Sequence, residues 1–187
     1  KNNFLNEQKY LKNINLKPNI IKLDSSNISR AEQMCHKVNQ FNFTTKRYDM
    51  TQLKNLDYCR LINLKDTYGD HGRVGMFGLK ISKEFIFVDL FLLSCRILGR
   101  YLENWMYNEI KKIQKKLKKK RVIFEYIPNE KNIVANDFIK KIKLKKITFK
   151  EMSKLDHNKM LKLNKSSNYY ETNKSYDNKI IEIYENR

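Results

Sequence analysis

No stretch of eighteen or more apolar residues occurs in the chain, so the sequence encodes no helix able to span a bilayer. No signal peptide is visible, and the expected setting is the cytoplasm. Cysteine is sparse. Cys35, Cys59 and Cys95 are odd in number, far apart and free of any C-x-x-C spacing. That argues against a disulfide framework and a structural zinc site, and fits a reducing compartment with no metal in this domain. No internal repeat is present. At 187 residues the chain suits one domain with a sizeable core and is short for two. It starts at Lys1 without a methionine and is expected to be a piece of something longer.

Charge, by contrast, is abundant and one-sided, with a formal net charge of +19. Such a balance raises nucleic acid as a partner. Much of the lysine, however, lies in one run, "KKIQKKLKKKR" at 111–121, where Ile113 and Leu117 keep helical spacing with Ile110. The lysines therefore clothe the outer face of a helix. An acidic carrier protein suits that face. Nucleic acid ranks last, because no aromatic-basic recognition motif accompanies the lysines.

Periodicity gives an ordered series of elements. Residues 4–16 read as a short lead-in helix and 19–23 as a first strand. Ala31, Met34, Cys35, Val38 and Phe41 recur after Ile28 at three and four, which predicts an amphipathic helix, with Ser29 and Glu32 as a capping box. A short helix at 51–56 precedes strands at 58–65 and 73–81, joined by the turn "TYGDHG". "FIFVDLFLL" (85–93) is apolar on both faces and belongs mid-sheet. Leu98, Leu102, Trp105, Met106, Ile110, Ile113 and Leu117 then form one helical stripe. A strand (121–127) and a helix (130–142) follow. "LKKITFKEM" and "KIIEIYE" (179–185) read as a closing hairpin around a polar insertion at 156–178. The reading is α/β, with a lead-in at 1–17 and one domain over 18–187.

The junction at "FLLSCRILGRYLENW" (91–105) carries the chemistry. A helix that starts straight after a buried strand presents free backbone N–H groups and its dipole, which together favour an anion. Gly99 allows close approach to the main chain, and Arg96 adds a planar charged fork suited to phosphate. Cys95 sits beside both, and each would favour its thiolate.

"RILGRY" resembles the R/Q-x-x-G-x-G/A phosphate loop of GNAT acyltransferases at Arg96 and Gly99, and the element order is similar to that of a GNAT domain. The resemblance implies a mixed, mostly antiparallel sheet flanked by helices. It also implies that the loop, including Leu98 and Arg100, holds the phosphate of a pantetheine-bearing acyl donor. Two departures are visible. Tyr101 stands where that family has Gly or Ala, which suits a single carrier-borne phosphate better than the pyrophosphate of coenzyme A. Ile139 follows Phe138 where a proton-donating tyrosine is usual.

Three segments, "SRAEQMCHKVNQFNFTTKRY" (29–48), "DTYGDHGRVG" (66–75) and "DLFLLSCRILGRYLEN" (89–104), resemble the C-terminal half of FkbH-like proteins, and "PNEKNIVANDF" (128–138) continues the match. The resemblance implies an upstream HAD-type phosphatase domain (subfamily IIIC) and transfer of a glyceryl group to an acyl carrier protein for methoxymalonyl-type polyketide extender units. The aspartate motif of the phosphatase, DxDxT/N, occurs nowhere in the chain.

On that basis Cys95 is the candidate nucleophile, which would hold the acyl group as a thioester; the rival reading is a small residue packing the strand end. His71 is the candidate proton carrier, or equally part of turn chemistry. Asn39, Gln40, Asn42, Thr44 and Thr45 are candidate contacts for a hydroxylated acyl group, or equally the polar residues of a helix C-terminus and loop, and Arg47 meets a carboxylate, a phosphate or only solvent. Asn132, in the matched 128–138 segment, is assigned to the phosphopantetheine or coenzyme A arm. Asp89, within an apolar strand, requires a buried partner, for which Arg73 is the candidate. Three functions stand open: acyl transfer to a carrier, a non-catalytic domain that only docks the carrier, and conventional acetyl-CoA-dependent N-acetylation.

Overall fold

The computed structural model describes residues 9–172 and 183–184. Residues 9–13 are helical and lead into β1 (Lys17–Lys22). Then follow α1 (Ile28–Lys37), β2 (Phe41–Asn42), α2 (Met50–Lys54), β3 (Tyr58–Asp66), β4 (Gly69–Ile81) and β5 (Phe85–Leu93). A 3-10 turn at Cys95–Ile97 precedes α3 (Leu102–Lys116). β6 (Arg121–Tyr126), α4 (Ile133–Lys141), β7 (Lys145–Ile147), α5 (Phe149–Leu155) and β8 (Asn168–Glu171) complete the order. Among the described residues no helix is long and apolar enough to cross a membrane.

The sheet runs β1-β3-β4-β5-β6-β8-β7, with β2 attached to β5. Every pairing is antiparallel except β5 with β6. A parallel pair needs a long crossover, and α3 supplies it. All nine residues of β5 are buried, as their two-faced apolar pattern predicts. On one face Ile86, Val88, Phe91 and Leu93 pack with Leu102, Met106 and Ile110 of α3 and with Phe138 of α4. On the other, Leu90 and Leu92 pack with Ala31, Met34 and Cys35 of α1 and Leu53 of α2. Phe85 and Phe87 join Ile123, Tyr169 and Met152 of α5 in a third cluster.

Close packing favours glycine at two points in β4, Gly75 and, more tightly, Gly78. A Cβ on Gly78 would lie 2.5 Å from Leu56 Cδ1 and 3.1 Å from Leu90 Cβ. Gly78→Val is expected to destabilise by about 1–3 kcal/mol through overpacking, read as a lower urea midpoint.

One register shift shapes everything downstream. Gly78 faces Leu90 while Leu79 faces Val88, so Asp89 is the extra residue of a β-bulge. A bulge bends its strand. Accordingly β5 and β6 pair only from Phe85–Arg121 to Val88–Phe124 and then diverge.

Several local readings are corrected. The N-cap of α1 is Asn27, and Ser29 lies inside the helix, so no Ser29–Glu32 capping box forms. Asn27 instead accepts from the Asp24 amide and donates to the Lys22 carbonyl, tying the helix start to β1. α3 begins at Leu102 and not at Leu98, because the 3-10 turn and a left-handed Tyr101 intervene. The strand that pairs with β6 and β7 is β8, inside the stretch read as an insertion. "FKEM" forms α5 because Thr148 and Glu151 make a reciprocal capping box. Of the expected strand at 179–185, Ile183 and Tyr184 are helical, and the rest lies outside the described residues.

Candidate active site

Three elements converge on a groove of about 510 Å³. Helix α1 gives Arg30, Gln33 and Lys37, and the chain beyond its end gives Asn39 and Gln40. β4 gives Arg73, and the turn after β5 gives Ser94, Cys95 and Arg96. The positions 30, 33, 34 and 37 share one side of α1 because residues three and four apart are neighbours on a helix. Met34 turns inward to the core from that side, which leaves Arg30, Gln33 and Lys37 at the rim.

Among the three cysteines only Cys95 is exposed. Cys35 and Cys59 are buried, and burial pushes each thiol up to about 12. The sequence-predicted nucleophile thus shares one groove with predicted Asn39, Gln40 and Arg96. Arg30, Gln33, Lys37 and Arg73 were missed. Their signal was the polar side of α1 beside its apolar stripe, together with an arginine set between two glycines in "GRVG".

Other predicted contacts prove structural. Asn42 is fully buried, accepts from the amides of Thr44 and Thr45, and donates to the Val38 carbonyl. Thr44 is buried and donates to the Asp89 carbonyl. Asn132 is fully buried with both ends of its amide engaged. It accepts from Tyr126 and the Asn129 amide, and donates to the carbonyls of Asn42 and Ile127. None of the three faces a ligand. Thr45 and Arg47 line an adjoining hollow with Asn129, Glu130 and Lys131, and Asn39 lies on both. There Arg47 donates to the Cys35 carbonyl and to Asn39 Oδ1.

Those bonds close the gap that the bulge opens. Phe41 and Asn42 pair with Leu93 and Leu92, the Phe43 amide donates to Phe91 O, and the Ile127 amide donates to Phe43 O. Residues 41–45 therefore bridge the diverging strands. Phe41 and Phe43 pack there against Phe91 and Phe138, with centroids 5.1–6.2 Å apart. Edge-to-face packing of such rings adds to their buried area.

At the crotch of the divergence, Lys46 Nζ lies 2.6 Å from Asp89 Oδ1 and 2.5 Å from Glu125 Oε2. Lys80 reaches Asp89 Oδ2 at 3.5 Å, and Ser167 donates to Glu125 Oε1. Asp89 is thus paired with Lys46 and Lys80, and the expected partner Arg73 lies instead in the groove. Burial alone would raise the Asp89 carboxyl, but Lys46 foremost holds it below the usual range.

His71 is likewise placed elsewhere. It is the extra residue of one of two irregularities between β3 and β4, lying between Leu64–Gly72 and Lys65–Asp70, and its Nε2 lies 2.7 Å from Asp66 Oδ2. Arg100 reaches the same oxygen at 2.7 Å. Burial would raise Asp66, yet the hydrogen bonds from His71, the Tyr68 amide and Arg100 lower it. This cluster straps the loop after β5 onto the β3–β4 hairpin. Neither His71 nor Arg100 lines the groove with Cys95, and both are held by Asp66. His71→Gln is expected to cost at most about 1 kcal/mol in stability and to leave any Cys95 chemistry standing, read as a melting curve beside a transfer assay.

The loop itself is folded inward. The amides of Ile97, Leu98 and Arg100 bond to the carbonyls of Ser94, Cys95 and Ile97, and Tyr184 donates to the Arg100 carbonyl. Leu98 is half-buried against the core. Gly99 has φ +84° and open space where a Cβ would be. Tyr101 has φ +58°, a conformation that glycine adopts without strain, and its ring lies under Lys141 at 4.4 Å. Phe138 and Ile139, at the place of the usual proton donor, are buried in the core.

No protein-family model and no curated protein matches the sequence. Solved structures do match. A GNAT-family acetyltransferase from Staphylococcus aureus Mu50 superposes with TM-score 0.59 at 14% identity, covering 82% of this chain and 97% of its own. Rv2747 from Mycobacterium tuberculosis, in complex with CoA and NLQ, gives 0.59 at 12%, covering 82% and 97%. Arabidopsis thaliana Naa50, in complex with the bisubstrate analogue CoA-Ac-MVNAL, gives 0.56 at 11%, covering 82% and 96%. The chain has the GNAT fold.

Proposed function

We propose that this chain is an acyltransferase domain that works through Cys95, passing a glyceryl or similar hydroxylated acyl group to the phosphopantetheine thiol of an acyl carrier protein. The observation that carries this reading is the Cys95 thiol. It alone among the three is exposed, and it opens on a groove walled by amides and cations.

The chemistry balances as two thiol exchanges. The Cys95 thiolate attacks the carbonyl carbon of an acyl thioester or acyl phosphate; the new C–S bond forms and the donor's thiolate or phosphate leaves. The carrier's pantetheine thiolate then attacks the enzyme thioester, and Cys95 departs as thiolate. Because Cys95 is exposed, its proton can pass to water. Gln33, Asn39 and Gln40 offer amide donors and acceptors to the hydroxyls of the acyl group.

The loop amides are largely bonded within the loop, and residues 41–45 occupy the opening between β5 and β6, so an arm of either donor would reach Cys95 from the groove side. Charge favours a carrier-borne arm over free coenzyme A. The exposed lysines closing α3 offer positive charge to an acidic carrier. An upstream HAD-type phosphatase domain in the same polypeptide belongs to this reading.

Coenzyme A supports the second reading, N-acylation, because two proteins of the same fold are complexed with it or its conjugate. Presenting glyceryl thioesters of carrier protein and of coenzyme A to the chain separates the two. Exchange confined to carrier-borne thiols supports the proposal. Tight calorimetric binding of acetyl-CoA with acylation of an amine would replace it, and carrier binding without any exchange would reduce the domain to docking.

A further inference from the structure

We infer that the Cys95 groove contains a phosphate-binding subsite built from Arg30, Lys37, Arg73 and Arg96. These four cations come from a helix, a strand and a turn that are distant in sequence, yet all line one concavity. No aspartate or glutamate lines it with them. Among the described residues none of the four makes an ion pair: Arg30 donates to Gln33, and Arg96 weakly to Ser94 Oγ at 3.4 Å. Like charges gathered in a concave site repel one another, and an anion relieves that repulsion.

The shape favours phosphate over a nucleic-acid backbone or a lone carboxylate. A volume of about 510 Å³ suits part of a small ligand. Guanidinium forks match phosphate oxygens in pairs, and four cations exceed what one carboxylate would neutralise. Polarity also varies along α1. Arg30 lies in its first turn, whereas Asn39 and Gln40 lie beyond its last, where helix carbonyls disfavour an anion. The phosphate is therefore placed towards Arg30, with Lys37 of the last turn acting as a longer-range charge, and the neutral hydroxylated part towards the amides. The subsite stands on the groove alone. Its meaning for the substrate, a phosphate within reach of the carbonyl bonded to Cys95, rests on the proposed function.

Alkylation of Cys95 in the full chain tests the subsite without any acyl transfer. Cys35 and Cys59 are buried and do not compete. The ratio of iodoacetate to iodoacetamide labelling rates should exceed that of glutathione by about tenfold at low ionic strength, since the cations attract the charged reagent. Inorganic phosphate should protect Cys95 from iodoacetate more than acetate does at equal ionic strength. Arg30→Gln/Arg73→Gln should lose that protection and bring the iodoacetate-to-iodoacetamide ratio down towards that of glutathione. Both side chains are exposed, and a melting curve checks the variant's fold; if it melts early, protection of the unaltered protein decides alone. Protection by phosphopantetheine but not pantetheine would place the phosphate on the carrier arm, and protection by a phosphorylated hydroxy acid would place it on the acyl group; either supports the subsite. A glutathione-like ratio with no protection by phosphate would overturn it, whether or not acyl transfer occurs.

Discussion

Replacing Lys46 with methionine should lower the unfolding free energy at neutral pH by about 3 kcal/mol, the low end of what breaking a buried ion pair costs. The reason lies in what remains. Glu125 and Asp89 are buried at side-chain exposures of 1% and 5%, and the ammonium of Lys46 is the charge they share. Without it Glu125 keeps the Ser167 hydroxyl, and Asp89 keeps Lys80 at 3.5 Å. That residual pairing, and the one-third exposure of Lys46, set the effect at the low end.

The pH dependence has a definite sign. In the unaltered protein the lowered Asp89 carboxyl contributes stability that is complete above the ordinary aspartate value, about 3.9, and is lost as pH falls through its folded value. Burial would lower Lys46, but Asp89 and Glu125 raise it. Its contribution is therefore complete below the ordinary lysine value, about 10.4, and fades as pH rises through the folded one. In the methionine variant Asp89 loses the chief cause of its lowering, so the variant's deficit should shrink as pH falls through the carboxylate range. Lys46→Met/Glu125→Gln should recover part of the loss. Urea unfolding at three pH values checks all of this, and a deficit that is constant with pH would contradict it.

The second large effect concerns chemistry and not stability. Cys95→Ala should reduce acyl exchange with the carrier by at least roughly a thousandfold, as loss of a nucleophile does elsewhere. Its melting temperature should barely change, because Cys95 is exposed and outside the core clusters. Cys35→Ala should do the reverse, since its thiol is fully buried under α1. A buried cysteine packs as a small apolar side chain, and a cavity there costs stability without touching the groove.

How much of this was legible depended on the kind of signal. β5 declared itself, because nine residues apolar on both faces have few places to go but mid-sheet. The inward side of α1 was equally plain in Ile28, Ala31, Met34 and Cys35. Boundaries failed where one residue of irregular backbone intervened: left-handed Tyr101 delayed α3, and the bulges at Asp89 and His71 left no mark in periodicity. The site divided in the same way. Cys95, Arg96, Asn39 and Gln40 could be nominated from local sequence, and they do meet in one groove. Asn42, Thr44 and Asn132 satisfy backbone, a reading the sequence left open for the first two, because a polar side chain that does so looks the same in sequence as one that awaits a substrate. Arg30, Lys37 and Arg73 carried only a faint signal among many basic residues, and their meeting showed once the fold brought three elements together. Lys46 hid for the same reason, and its carboxylate partners lie 43 and 79 residues away.

The most direct test is intact-mass analysis of the protein quenched after a single exposure to a glyceryl thioester, followed by peptide mapping. One glyceryl unit in thioester linkage on Cys95, discharged when carrier protein with a free pantetheine thiol is added, is the predicted result. An unmodified Cys95 in a chain that nonetheless transfers the acyl group, or a stable adduct that carrier protein cannot discharge, would contradict it.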